Sequence, residues 1–492
     1  MNDRKISPAP LAAALLLSFS TLATQAATIM VTNRDGPGVG FNDPTPATPV
    51  GGNLGTTLGE QRFNVYRHVA NLWEAAIQSN VIITVSAGWE PLTCSATSAV
   101  LGSAGAWNAW HDFANGVPGT WYPQALANKL SGVNLSAGVP DDGTGYGNVD
   151  IKTQFNVNLG NVGCLDGRFF YLGLDGNAGS NVNFVATLLH ELGHGLGFSV
   201  LTVQASTGFR LNETGTAFVA SGGLPSIWES FMYDNTAGLT WLNMTNAQRA
   251  ASAINPLQLA WIGPNAVAGA AQTLSNLPKL KISTPVPNVS GLYDYGTAGF
   301  GPVVAGSVAN LGTLVNGNGA GAGCTATGGV PATVAGKVAV INRGTCAFTE
   351  KVKNAQNSGA IAVIIANNAA GAAPGLGGAD PTITIPTISV SQSDGNVLKA
   401  AIEAAPKYGS RSKAGSVFSA LGVDPNRRAG ADLLGRPLLY TPNPLVGGSS
   451  VSHWDVSAFP NLLMEPNINN DLTTLLVPPK DLTKPLFVDI GW

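Results

Sequence analysis

The chain has 492 residues, 45% of them hydrophobic and only 11% charged, which is enough for two or three domains with buried cores. Its net charge is −3 and its lysines and arginines form no block, which argues against nucleic acid as a partner, since phosphate binding needs clustered cations. Glycine (61 residues) and proline (31) are abundant, which predicts many turns, short strands and long loops.

The first 26 residues have the pattern of an export signal. Arg4 and Lys5 precede an apolar stretch over 11–22, and small residues follow at the positions that a signal peptidase recognises. This stretch is too short to cross a bilayer, and no later run of about 18 apolar residues occurs. We therefore expect a signal peptide at 1–26 and a protein with no membrane span, secreted to the medium or to the periplasm.

Residues 27–284 are predicted to form the first part of an α+β catalytic domain. Residues 27–57 are rich in Gly, Pro, Thr and Asn and are predicted to be loop. Apolar residues at helical spacing predict one helix over 59–79 and another over 182–196. β-Branched or alternating runs predict strands at 81–85, 150–157 and 169–174.

A second, separate domain is predicted at 285–409, where short β-rich runs alternate with Gly-rich turns. Its strands are expected at 303–314, 337–341, 361–366 and 382–390, and its helices at 348–358 and 393–404. Residues 410–492 return to loops rich in Gly, Pro and Asn, and we assign them to the C-terminal part of the catalytic domain.

The four cysteines are consistent with an oxidising compartment. Cys94 and Cys164 fall in the first predicted domain, and Cys324 and Cys346 fall in the second, so we predict one disulfide in each. A zinc–thiolate site is the alternative, but no C-x-x-C spacing supports it.

The segment His190-Glu191-Leu192-Gly193-His194 carries the chemistry. In a helix, residues four apart lie on one face, so both imidazoles can bind one metal ion while Glu191 reaches a metal-bound water. Zn²⁺ lowers the pKa of that water, and a carboxylate can take its proton during attack on a carbonyl. With only 5 histidines in the chain, this spacing is a specific signal for a zinc metallopeptidase.

A catalytic zinc needs a third protein ligand. The commonest metzincin pattern would place a histidine at position 200, but Val200 is there, so the ligand must come from elsewhere in the chain. Three other histidines are available. His68 lies within the predicted first helix and is interpreted as a packing residue, His111 is flanked by aromatic residues, and His453 lies in a C-terminal loop.

The run His190 to Phe198, with Ser452-His453-Trp454-Asp455 and Asn461-Leu462-Leu463-Met464 far downstream, resembles the leishmanolysin-type metzincins. The resemblance implies a twisted sheet with an active-site helix, Zn²⁺ as cofactor and Glu191 as catalytic base. It also implies His453 as the third ligand, displaced by an insertion, and Met464 as the residue of the Met-turn. Asp455 is the alternative third ligand, since a carboxylate can also bind zinc.

The insertion itself resembles a protease-associated (PA) domain. The resemblance rests on Cys324, on 336–348 and 351–367, and on 385–390. It implies a β-rich α/β module that faces substrate without chemistry of its own. The sequence therefore predicts a secreted zinc endopeptidase acting on proteins or peptides. A non-catalytic binding protein on a degenerate peptidase scaffold is the alternative function, which the intact His190-Glu191-x-x-His194 disfavours.

Overall fold

The structure is a computed structural model that describes residues 25–139, 148–302, 310–405, 416–469 and 471–492. The predicted signal peptide, apart from its last two residues, lies outside the described residues.

The helices are spread over the whole described chain. The α-helices are α1 Leu58–Ala76, α2 Gln124–Ser131, α3 Phe184–Leu196, α4 Asn246–Ser252, α5 Pro264–Thr273, α6 Phe348–Asn357, α7 Gln392–Ala404 and α8 Thr483–Ile490. Short 3-10 helices lie at Gly40–Asn42, Ile227–Ser230, Trp241–Asn243, Thr325–Thr327 and Ala332–Val334. The four helices predicted from apolar spacing are confirmed as α1, α3, α6 and α7.

A four-stranded sheet packs against α1 and α3. Its strands, in sheet order, are Ile29–Asn33, Ile83–Glu90, Ile151–Asn156 and Gly102–Ala106. The first three are mutually parallel, and the last is antiparallel to its neighbour. The strand at Ile29–Asn33 corrects the prediction of loop over 27–57, because its apolar part is only three residues long and is followed by the Gly- and Pro-rich sequence on which that prediction rested.

Shorter ladders surround this sheet in the same part of the chain. Three of them have two strands each: Cys94–Ser95 with Ser98–Ala99, Ala109–Trp110 with Tyr122–Pro123, and Phe170–Tyr171 with Val182–Asn183. Two have three strands each, in which Phe209–Leu211 lies between Val203–Gln204 and Phe218–Val219, and Met232–Asp234 lies between Leu239–Thr240 and Leu259–Trp261. The strand predicted over 169–174 is thus only two residues long, Phe170–Tyr171.

One hydrophobic core joins the early and late parts of the chain. Side chains of α1, the four-stranded sheet and α3 pack there with Trp454, Met464 and Phe487 from the C-terminal section. The C-terminal section therefore completes the core that holds α3, although about 150 residues separate it from the first section.

The residues between these sections form an eight-stranded sheet with its own cores. In sheet order its strands are Gly291–Tyr293, Asn276–Ser283, Phe418–Arg428, Asn310–Asn316, Val338–Asn342, Ala362–Ala366, Thr387–Val390 and Gly296–Thr297. Val338 and Val340 belong to one hydrophobic cluster, whereas Ala339 and Ile341 belong to another. Because alternate residues point to opposite faces, this sheet is buried on both sides.

The sheet is wider than the predicted domain at 285–409. Asn276–Ser283 and Phe418–Arg428 pair with each other along almost their whole length, outside both predicted boundaries. The predicted domain boundaries were placed where the composition of the sequence changes. The two paired strands instead lie where the chain leaves the core of the first section and where it returns to it. About half of the residues in both strands are polar, so their sequence pattern does not distinguish them from the flanking loops.

Each cysteine pair is joined as predicted. Cys94 is bonded to Cys164 beside the four-stranded sheet, and Cys324 is bonded to Cys346 in the inserted domain. Within the described ranges, no helix is both long enough and apolar enough to cross a membrane.

Candidate metal centre

Helix α3 begins and ends at clear local signals. The side chain of Asn183 accepts a hydrogen bond from the backbone N–H of Ala186 (3.1 Å), which satisfies one of the free donors of the first turn. The helix ends at Gly197, whose φ of +121° is accessible to glycine without strain. These two residues set the length of the helix and so fix where His190 and His194 lie.

Two glycines let α3 approach its neighbours closely. A Cβ on Gly195 would lie 2.3 Å from Cγ2 of Ile151 in the four-stranded sheet. A Cβ on Gly193 would lie 2.7 Å from Sδ of Met464, which is fully buried. Met464 therefore packs directly beneath the helix that carries both histidines.

The three histidines predicted as ligands come together. Nε2 of His194 lies 3.0 Å from Nε2 of His190 and 3.1 Å from Nε2 of His453. Within the part of the chain that the structure describes, this is the one group of three or more potential metal ligands whose donor atoms all lie within 4.8 Å of one another. His190 and His453 are 5% exposed and His194 is half-buried.

The other ring nitrogen of each histidine is hydrogen-bonded to a backbone carbonyl. Nδ1 of His190 contacts the Leu463 oxygen (2.7 Å), Nδ1 of His194 the Phe198 oxygen (2.7 Å) and Nδ1 of His453 the Ser449 oxygen (2.8 Å). Because a carbonyl oxygen can only accept, each Nδ1 carries the proton and each Nε2 presents a lone pair.

Three lone pairs directed at one point repel one another unless a cation lies between them. Zinc binds imidazole nitrogen at about 2.0–2.1 Å in tetrahedral geometry, which places two ligand nitrogens about 3.3 Å apart. The observed separations of 3.0 and 3.1 Å are close to that value. The donor set, its spacing and its tautomers thus fit a zinc site with a fourth position left open.

The surroundings keep these imidazoles neutral. Burial lowers the pKa of His190 to about 4 and that of His453 to about 3, and it also lowers the pKa of His194 well below its ordinary value. A neutral imidazole is the form that binds metal, so all three ligands are ready to bind at neutral pH.

His453 is held in place by backbone contacts on both sides. Its carbonyl accepts from the N–H of Tyr440 (2.9 Å), and the N–H of the next residue, Trp454, donates to the carbonyl of Met464 (2.8 Å). Oγ of Ser452 accepts from the N–H of Val200 (3.2 Å), which ties this loop to the segment after α3. The local structure thus links the third histidine to both the helix and the Met464 turn.

The other candidates do not join the cluster. Asp455, the alternative third ligand, accepts hydrogen bonds from the N–H and the hydroxyl of Ser457 (2.9 and 2.5 Å). His111 uses its two nitrogens on Asp112 and on the carbonyl of Glu213 (2.6 and 2.9 Å). His68 lies half-buried on α1, in line with the packing role predicted for it.

Glu191 lies on α3 beside the cluster and contacts the edge of the four-stranded sheet. The backbone N–H of Ala104, in the antiparallel strand Gly102–Ala106, lies close to its carboxyl group. Burial raises the pKa of Glu191 to about 8. A carboxyl group with a raised pKa next to a cluster of potential metal ligands is suited to proton transfer.

Sequence reasoning missed the groups that orient the ligands. Asp481 accepts from the N–H of Leu463 (2.7 Å), and the carbonyl of Leu463 in turn accepts from His190. Ser449 acts on His453 through its backbone carbonyl. Backbone groups have no side-chain signature, and Asp481 lies 18 residues beyond Leu463 in a stretch with no motif, so spacing alone could not identify them.

Comparison with known proteins identifies the inserted part of the chain. The PA domain family matches residues 301–398. The chain therefore contains a PA domain, as its sequence predicted, and the match lies within the eight-stranded sheet region.

Two curated relatives are peptidases. Minor extracellular protease Vpr of Bacillus subtilis (strain 168) is 41% identical over 69 residues, which are 14% of this chain and 8% of that protein. Leucine aminopeptidase 2 of Trichophyton equinum is 42% identical over 77 residues, which are 15% of each chain. This chain thus spans less than a sixth of the length of these relatives.

Two solved structures also share a part of the chain. The zinc aminopeptidase BSAP from Bacillus subtilis is 25% identical over 33% of this chain and 36% of its own, with a TM-score of 0.20. An aminopeptidase from Aneurinibacillus sp. strain AM-1 is 19% identical over 40% of this chain and 41% of its own, also with a TM-score of 0.20.

Proposed function

We propose that this protein is an exported zinc-dependent endopeptidase of the leishmanolysin-like metzincin type. His190, His194 and His453 hold the metal, Glu191 is the catalytic base and Met464 forms the floor of the site. Residues 1–26 direct export, 27–284 and 410–492 build the catalytic domain, and the inserted PA domain contacts substrate.

The convergence of three imidazoles from distant parts of the chain carries this proposal. His453 is 259 residues from His194, yet their Nε2 atoms are 3.1 Å apart with both lone pairs directed inward. Such an arrangement costs free energy in the metal-free protein, because unpaired buried acceptors lose their hydration. Metal binding supplies the compensating interaction.

Glu191 performs the proton transfers in this proposal. When bound, zinc lowers the pKa of a water in the open position, polarises the scissile carbonyl and, as a nearby cation, lowers the pKa of Glu191. The Glu191 carboxylate takes a proton from the attacking water and then delivers it to the nitrogen of the leaving amine. In this proposal the Ala104 N–H, which lies close to the carboxyl group, orients the carboxylate for both steps.

The edge strand next to Glu191 favours an extended peptide as the substrate. Within the described sheet, Gly102–Ala106 pairs on one side only, with Ile151–Asn156. An extended peptide can add to such an edge through backbone hydrogen bonds, whatever its sequence. The scissile bond of that peptide would then lie beside Glu191, which is close to Ala104.

The direct test compares Glu191→Gln and His453→Ala with the wild type. Each protein is loaded with zinc and dialysed, its zinc content is measured, and cleavage of an unfolded protein is followed. We expect Glu191→Gln to retain zinc and lose at least about 100-fold in rate, since general base catalysis contributes 10²–10⁴. His453→Ala should lose both zinc and activity. Unchanged cleavage by Glu191→Gln would rule out its assigned role.

Substrates with a blocked N-terminus separate this proposal from two others. An endopeptidase cleaves an N-acetylated peptide internally, whereas an aminopeptidase, the activity named for leucine aminopeptidase 2, releases single residues from a free N-terminus. A protein that binds unfolded chains in both forms but cleaves neither at saturating zinc would be the non-catalytic binding protein. Mass spectrometry of the products distinguishes the three outcomes.

A further inference from the structure

A cavity of about 410 Å³ opens at the end of the edge strand, within the size range of about 300–1,000 Å³ that is usual for ligand pockets. Ala106, the last residue of the strand, lines it, and Ala104 lies two residues earlier. At about 3.3 Å per residue, the mouth of the cavity is about 7 Å along the strand from the Glu191 contact. We call this cavity the tryptophan pocket.

The walls of the tryptophan pocket combine aromatic and aliphatic side chains with the polar side chains of Asn108, Thr202 and Thr214. Trp107, Trp110 and Trp121 line it together with Leu201 and Leu211. The described residues around it carry no charged side chain. Flat aromatic surfaces favour an aromatic ring, which gains contact area and edge-to-face or offset stacking beyond simple apolar burial.

These walls are fixed before any ligand arrives. Trp110 is paired with Tyr122 in a short antiparallel ladder, and the N–H of Trp107 donates to the carbonyl of Asp150 (2.8 Å). The indole N–H of Trp121 donates to the carbonyl of Leu211 (3.4 Å). A pocket that is already ordered binds a side chain without first losing conformational entropy.

We propose that the tryptophan pocket is a specificity site that accepts an aromatic side chain of the substrate, about two residues from the scissile bond. This inference rests on the proposed peptidase function. A peptide paired with Gly102–Ala106 is carried past Ala106 directly over the pocket, and strand geometry points every second side chain to the same face.

Leu201 provides the test, because it lines the pocket and is 38% exposed, so its replacement leaves the core in place. The zinc-loaded wild type, Leu201→Lys and Leu201→Glu each digest one mixture of peptides, and mass spectrometry identifies the cleaved bonds. We expect the wild type to prefer Phe, Tyr or Trp at one position near the cut. Leu201→Lys should lose that preference about tenfold and gain one for Asp and Glu, while Leu201→Glu should gain one for Lys and Arg. Leu433→Lys, which adds the same charge at a 76% exposed position outside the pocket, should keep the wild-type profile.

A binding measurement keeps this inference distinct from the catalytic one. Glu191→Gln, which should cleave at least about 100-fold more slowly, is titrated with a phenylalanine-containing peptide of the mixture and with its alanine counterpart. Burial of one aromatic ring predicts about tenfold or more tighter binding of the phenylalanine peptide, and Leu201→Lys combined with Glu191→Gln should abolish the difference. Cleavage that depends on Glu191 but shows the same profile in all Leu201 variants overturns the specificity site and leaves the proposed function standing. Absence of cleavage by the wild type, with equal binding of both peptides, overturns both.

Discussion

At the scale of single residues, the ability of the histidine cluster to bind metal depends on which ring nitrogen of each histidine is left without a hydrogen-bond partner in the backbone. Each Nδ1 donates to a backbone carbonyl, so at all three histidines the chain selects the tautomer that is protonated on Nδ1 and leaves Nε2 free to bind metal. Outer partners of this kind orient metal ligands, and their loss typically costs 10–100-fold in affinity. The Leu463 carbonyl, positioned by Asp481, is therefore as much a part of the site as the side chain it orients.

Paired substitutions of His453 and Asp455 test the choice of third ligand. Loss of His453 removes one of three nitrogen donors, so we expect His453→Ala to weaken zinc binding by more than the 10–100-fold that an outer partner costs. Asp455→Asn keeps an oxygen that can accept from Ser457 and should bind zinc as the wild type does. Competition with a fluorescent chelator measures both affinities. The reverse ranking would make Asp455 the ligand.

Glu465, next to Met464, gives a pH-dependent prediction. Burial raises its pKa from 4.5 to about 8, so the folded protein retains a proton that the unfolded chain releases. The contribution of Glu465 to stability is therefore complete below pH 4.5 and is lost as the pH rises toward 8. Relative to Glu465→Gln, the wild type should lose about 1.4 kcal/mol of unfolding free energy per pH unit between pH 6 and 7.5. Denaturant titrations at several pH values measure this difference, and parallel curves would contradict it.

At the scale of elements, α3 combines a capped start with close packing on both sides. Its N-terminal cap, its two small residues and its glycine stop together place the ligands relative to the sheet and to the Met464 turn. The cap can be changed without touching the metal cluster, because Asn183 lies two turns before His190.

Asn183→Ala should destabilise the protein by about 1 kcal/mol, the usual cost of removing a helix cap. Asn183→Asp keeps an oxygen acceptor for the N–H of Ala186 and should be close to neutral. Urea unfolding of the two variants beside the wild type gives both values. Equal destabilisation by the two substitutions would show that the cap is not what Asn183 contributes.

The elements also show how far the sequence could predict this molecule. Long periodic segments such as α1 and α3 were predictable because apolar spacing and capping residues act locally. The strands Asn276–Ser283 and Phe418–Arg428 were not, since each is defined by its distant partner rather than by its own pattern. His453 was predicted as a ligand only through resemblance, because a separation of 259 residues from His194 leaves no spacing rule between the two.

At the scale of the whole molecule, the described residues form two structural units with separate cores. One cluster joins α1, α3 and the C-terminal section, and two others cover the faces of the eight-stranded sheet. Each unit contains one disulfide, and its cysteines are 70 positions apart in the first unit and 22 positions apart in the second. The metal centre lies wholly within the first unit.

Calorimetry should therefore resolve two unfolding transitions. A ligand that binds only the folded form stabilises it by about 4 kcal/mol at a thousandfold excess over Kd, so removal of zinc should lower the midpoint of the first unit by about 10 °C. The midpoint of the PA domain should not move. Replacing Cys324 and Cys346 together by Ser should lower the unfolding midpoint of the PA domain and leave the midpoint of the first unit unchanged. A single transition, or equal shifts of both, would contradict the separation of the units.

The order of the ligands along the chain has a consequence for biosynthesis. Synthesis proceeds from the N-terminus, so His190 and His194 leave the ribosome more than 250 residues before His453. Until then the PA domain has been made but the metal centre lacks one of its three nitrogens and the loop that holds it. A chain that has not yet reached His453 would therefore bind metal weakly, so the inserted domain delays completion of the three-histidine cluster until after its own synthesis.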